Sequence, residues 1–157
     1  MAEYKEIIVL DFDRTIHTYE SGWTEADDIP DGIIDGAIEA ILKYLKEFRV
    51  AILSARSGQY NAIPAMQAWL KKHLISWLND TPTSMKAVSS MYELAEYYPE
   101  GNNDDFEKGI WADSIISKLE FPITKPPAKL LIDDAGYRFE GKYPSVKEIK
   151  EMKSWNE

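Results

Sequence analysis

Short apolar runs alternate with stretches of helical spacing along this chain. The run Ile7-Ile8-Val9-Leu10 predicts a buried strand over about Lys5 to Asp11. Ile34, Ala37, Ile38, Ile41, Leu42 and Leu45 recur at steps of three and four, which predicts a helix from near Gly32. Val50-Ala51-Ile52-Leu53 is a second strand candidate, ending at Ser54. A turn at Ser57-Gly58 then leads to a second helix through Met66, Trp69 and Leu70, toward Leu74. The order strand, helix, strand, helix predicts right-handed parallel units and a doubly wound α/β sheet.

Beyond Leu74 the pattern loosens, and residues from about 76 to 118 form a helical insertion. Within it Thr83 can cap a helix to about Tyr97, with Met85, Val88, Tyr92 and Ala95 on one face. Pro99 to Asp104 reads as a loop, and Phe106 to Ser117 as another helix. Leu119-Glu120-Phe121 is a short strand, Leu130 to Asp133 the last core strand, and Tyr137 to Phe139 a small extra one. Ser145 can cap a final helix through Ile149 and Met152. The loop from Phe12 to Pro30 is too long for a simple turn, and loops of that size are often functional. A length of 157 residues fits one domain, 1–157, with a real core.

Composition narrows the chemistry. At 45% hydrophobic and 29% charged residues, the chain is expected to be soluble and globular. No apolar stretch approaches the ~20 residues that span a bilayer, and Met1 to Glu6 lack the pattern of a signal peptide. The expectation is a cytoplasmic protein with no membrane partner. Having no cysteine, the chain forms no disulfide, thiolate metal site or thiol nucleophile. Two histidines are too few for a His-rich metal site, whereas oxygen ligands are abundant, which favours Mg²⁺. A net charge of -9 opposes binding along a nucleic-acid backbone but is compatible with small phosphorylated molecules.

Asp11 and Asp13 follow the first apolar run, and Asp133 and Asp134 follow the last. In an open α/β sheet ligands bind at the carboxyl edge of the strands, so four carboxylates delivered there suit a divalent cation. Asp11 can attack phosphorus to form an acyl-phosphate. Asp13 is placed to act as general acid and then as base. The same pair also fits an ordinary strand end capping a loop. Ser54 can donate to a phosphoryl oxygen or satisfy its own turn. Lys125 can neutralise phosphate or stand solvated before Pro126-Pro127. Arg14 and Arg56 can hold a second phosphate or a charged substrate, although Arg56 can equally pair with a nearby carboxylate. Trp23 reads as a loop anchor or a stacking surface, and His17 as a surface residue or one lining the mouth of the site. Tyr92, Tyr97, Tyr98, Phe106 and Trp111 read as core or interface packing ahead of base stacking.

The order of these motifs resembles the haloacid dehalogenase (HAD) superfamily of phosphatases. It runs Asp11-Phe12-Asp13-Arg14-Thr15, then Ser54, then Lys125, then Asp133-Asp134. The stretches Ser21-Gly22-Trp23, 50–59, 65–70 and 125–128 look like small phage-type HAD proteins without a large cap. The resemblance spans about residues 6 to 155 and carries no substrate with it. It implies a Rossmann-like sheet with helices on both faces and Mg²⁺ at its carboxyl edge. By resemblance Asp11 is nucleophile and metal ligand, and Asp13 is acid/base with its backbone carbonyl on the metal. Thr15, Ser54 and Lys125 bind the phosphoryl group, and Asp133 and Asp134 hold the metal directly or through water. The expected activity is hydrolysis of a phosphorylated metabolite, nucleotide or nucleic-acid end, in the host cytoplasm if the chain is phage-encoded. Two departures stand out: Arg14 replaces the family's usual small residue, and Ala135 follows Asp134 where related proteins often carry Arg. A degenerate binding or regulatory protein is the alternative. A phosphoacceptor receiver domain fits less well, because Ser54 stands where that fold needs Asp.

Overall fold

The computed structural model describes residues 3–80 and 105–153. Four parallel strands form one sheet: β1 (Ile7–Asp11), β2 (Arg49–Leu53), β3 (Leu119–Glu120) and β4 (Leu130–Ile132), in the order β3-β2-β1-β4. Helices α1 (Ala37–Glu47), α2 (Ala62–Asp80) and α3 (Asp105–Lys118) lie between the strands in sequence, and α4 (Val146–Glu151) follows β4. This is an α/β chain of coarse Rossmann-like character. Parallel neighbours need long crossovers, which explains why helices separate β1 from β2 and β2 from β3.

Pleating sends alternate residues of β1 to opposite faces. Ile8 and Leu10, with Val50 and Ile52 of β2, face the main core. There they meet Ile38, Ile41, Leu42 and Leu45 of α1, Met66, Trp69, Leu70, Leu74 and Leu78 of α2, and Trp111, Ala112 and Ile115 of α3. Ile7, Val9 and Ala51 form a smaller cluster on the other face, with Leu53 and Ala128 against it. Thus α1, α2 and α3 share one face of the sheet, and the helices expected on both faces are not seen among the described residues. The described ends of the expected insertion belong to this core. Residues 76–80 complete α2, and α3 docks on it through stacked Trp77 and Trp111 rings 6.3 Å apart. The expected Thr83 helix and the 99–104 loop lie outside the described residues, as do Tyr92, Tyr97 and Tyr98. Trp111 is core, as expected, whereas Phe106 is exposed.

Three elements depart most from expectation. Helix α1 begins at Ala37, not near Gly32, because the preceding segment pairs with the loop after β1. Thr18 N–H donates to the Gly32 carbonyl at 2.9 Å and Ile34 N–H to the Ile16 carbonyl at 2.8 Å. Gly36, at φ 85°, then turns the chain into the helix, a conformation that glycine adopts without Cβ strain. Helix α2 runs past Leu74 to Asp80, since Leu78 continues its buried face. Tyr137 to Phe139 form no strand; both aromatic side chains are exposed. Among the described residues no helix is long and apolar enough to cross a membrane.

Ser145 does cap α4, with its hydroxyl accepting from Glu148 N–H and the Glu148 carboxylate accepting from Ser145 N–H. Since α4 buries no residue, this box is its main local support. Ser145→Ala is expected to cost about 1 kcal/mol locally. The loss should appear as faster amide exchange in α4, with the global melting temperature unchanged.

Candidate metal centre at the sheet edge

Asp11 is the last residue of β1, and the parallel register sets Leu10 beside Ile132 of β4. The chain leaving β4 therefore delivers Asp133 and Asp134 next to Asp11. One carboxylate oxygen from each of the three lies within 4.8 Å of the others, a grouping that could hold a metal ion. Two local contacts orient the group: Phe12 N–H donates to Asp11 Oδ1 at 2.8 Å, and Ala135 N–H to Asp133 Oδ1 at 2.8 Å.

The electrostatics follow from crowding. Burial pushes Asp11 up from its ordinary 3.8 to about 7; the Phe12 N–H opposes this, and the charges of Asp133, Asp134 and Asp13 add to it. Asp134 is also raised, first by burial and then by Asp133 beside it, with Arg14 opposing. Like charges gathered in a half-buried place disfavour ionisation, and a cation reverses that balance. All the donors are hard oxygens, which suits a hard cation.

Arg14 reaches toward this group, with Nη1 3.9 Å from Asp134 Oδ2. Its backbone stands at φ 64°, in the left-handed region. A Cβ in that conformation costs roughly 1–2 kcal/mol, a strain that glycine would not carry.

The side chain of Asp13 is not in the metal-capable group. Its carboxylate turns to Arg56, whose Nη2 lies 2.8 Å from Oδ1 and 3.0 Å from Oδ2, with Nε 3.1 Å from Oδ2. His17 Nδ1 lies 2.8 Å from Oδ1, and Ser54 Oγ donates to Oδ2 at 3.4 Å. Arg56 is 1% exposed. Its Nη1 donates to the carbonyls of Ala26 (3.0 Å), Asp28 (3.2 Å) and Glu25 (3.5 Å), and its guanidinium lies 5.1 Å from the Trp23 ring centre. Of the roles open to Arg56 and Trp23 from sequence, these contacts are those of a carboxylate partner and a loop anchor.

No protein-family model, curated protein or solved structure matches this chain.

The other expected phosphate ligands are placed unevenly. Ser54 is buried, and its hydroxyl also accepts from Arg56 N–H at 3.3 Å, so it serves the turn as well as Asp13. The Thr15 hydroxyl is buried with no partner among the described residues. Lys125 is exposed in the coil between β3 and β4. His17 is the residue that sequence misplaced. It is fully buried, not at the surface, because Phe12, Tyr19 and Trp69 surround its ring. Its spacing of four residues from Asp13, just after Ile16, was the available signal.

Proposed function

We propose that this chain is a Mg²⁺-dependent phosphatase of HAD type, a phosphoric monoester hydrolase working through an aspartyl-phosphate on Asp11. The observation that carries this reading is the convergence of Asp11, Asp133 and Asp134 at the carboxyl ends of two adjacent parallel strands. These three residues would hold the ion, which when bound neutralises their charge and polarises a phosphoryl oxygen. The substrate class is a small phosphorylated metabolite, a nucleotide or a nucleic-acid end.

In this reading Asp11 forms the bond to phosphorus as the bond to the leaving oxygen breaks. Asp13 gives that oxygen a proton, then takes one from the water that hydrolyses the aspartyl-phosphate. Thr15, Ser54 and Lys125 are the proposed phosphoryl contacts, with Arg14 and Arg56 near a charged substrate. To move a proton, Asp13 must first free an oxygen from Arg56. An arriving phosphoryl anion competes for that same guanidinium.

A degenerate binding or regulatory protein is the second reading, and the engagement of both Asp13 oxygens by Arg56 favours it. The test is phosphate release from an aryl phosphate and a nucleotide panel, with Mg²⁺ or with chelator. Metal-dependent release supports the hydrolase. Mg²⁺ binding without release from any substrate supports the degenerate form.

Arg14 supplies a further expectation. Removing its charge beside Asp134 should strengthen cation binding by about 1 kcal/mol, given two unit charges ~4 Å apart near water. Arg14→Gly is thus expected to tighten Mg²⁺ binding roughly 5-fold in a calorimetric titration.

A further inference from the structure

We propose that His17 is a positioning residue for Asp13, locked as its Nδ1–H tautomer by the backbone of the loop before α1. This inference rests on the phosphatase reading and deepens it. The Asp31 N–H donates to His17 Nε2 at 3.3 Å, which makes Nε2 the lone-pair nitrogen even with the Asp31 carboxylate 3.8 Å away. The ring proton then sits on Nδ1 and is donated to Asp13 Oδ1 at 2.8 Å.

Everything around the ring fixes its direction. Phe12 stacks on it at 5.6 Å between centroids, and Trp69 and Tyr19 meet it edge-on at 5.5 and 6.0 Å. The backbone is tied as well: His17 N–H donates to the Phe12 carbonyl at 2.9 Å, and the His17 carbonyl accepts from Arg14 N–H at 2.8 Å. Asp31 is itself held. Its carbonyl accepts from Trp69 Nε1 at 3.1 Å, and its carboxylate accepts from Ser21 N–H and Oγ–H at 2.7 and 2.6 Å. A continuous chain of contacts thus runs from α2, through Asp31 and His17, to the carboxylate that handles the proton. Arg56 neutralises Asp13 and, with Ser54, holds Oδ2, while His17 holds Oδ1 beside Arg56 Nη2, so together they fix the rotation of the carboxylate. Such an outer partner is a common means of holding an acid–base group in register.

Two measurements test this on the full chain. The first is the tautomer, read from long-range ¹H–¹⁵N correlations of the imidazole rings. With only two histidines present, His73→Gln assigns the spectrum. The expected result is a protonated Nδ1 and a bare Nε2 for His17; the opposite tautomer overturns the inference. The second compares His17→Leu with His17→Asn, whose amide can still donate to Asp13, on two substrates. An alkyl phosphate needs its leaving oxygen protonated, while p-nitrophenyl phosphate does not. In a single turnover, His17→Leu is expected to slow aspartyl-phosphate formation from the alkyl phosphate on the order of 10–100-fold, with a much smaller loss on the aryl ester, whereas hydrolysis of the intermediate slows alike for both. His17→Asn should restore most of it. Equal losses in that first step on both substrates, or no rescue by Asn in a folded variant, sink this inference and leave the phosphatase standing. An inactive wild type sinks the phosphatase reading and this role together.

Discussion

Asp11→Asn is expected to abolish metal-dependent phosphate release and, at the same time, to make the metal-free protein more stable. The first effect should reach at least about 10³-fold, since removal of a nucleophile leaves only residual binding catalysis. The second follows from the crowding at the sheet edge. In the unfolded chain this carboxyl titrates near 3.8, and in the folded one near 7. Between those values the folded state binds the proton more tightly, so the residue's contribution to stability is complete below about 3.8 and is lost as pH rises through 7. At pH 8 the ionised Asp11 opposes folding, and Asn removes that opposition. Because the group is only half-buried, solvent screening reduces the gain to about 1–2 kcal/mol, a few degrees in melting temperature. At pH 4 the two proteins should melt almost together. A variant destabilised equally at both pH values would contradict the electrostatic account of this site.

Arg56→Met is expected to be the most destabilising single change in the loop region. It leaves the Asp13 carboxylate without its cation and strips a donor from the carbonyls of Glu25, Ala26 and Asp28. Removing one partner of a buried pair costs about 3–5 kcal/mol, which lowers the melting temperature by about 10 °C in a chain of this size. The Arg49–Glu120 pair provides the contrast. Its contact is shorter, at 2.6 Å, but both side chains are about half exposed, at 47% and 40%. Arg49→Met should therefore cost less than about 1 kcal/mol. Adding Asp13→Asn to Arg56→Met should recover part of the loss by removing the stranded charge. Thermal melts of these variants check the ordering, and an Arg49 loss equal to that of Arg56 would refute it.

Much of this architecture was legible in the chain. Four strands could be placed because each is a short apolar or β-prone run closed by polar residues. The metal-capable carboxylates were legible for the same reason: a parallel strand ends at the ligand-binding edge, so Asp11 and Asp133-Asp134 had to lie along it. What escaped was the partnership of side chains distant in sequence. The periodicity that began at Ile34 looked helical, yet Ile34 is held by Ile16 across the loop. Asp13 looked free to join a cation because Arg56, which engages it, lies 43 residues further on. His17 looked exposed because it stands among polar neighbours, and only the fold brings Trp69 over its ring. Periodicity reports which face of an element is buried, but it does not report which charges meet inside a loop.

The most direct test is a calorimetric titration of the chelator-treated full chain with Mg²⁺ at pH 8. The account predicts one ion per chain, with binding lost in Asp11→Asn and in Asp133→Asn. Undiminished binding in both variants, or no binding by the wild type at millimolar Mg²⁺, would contradict it.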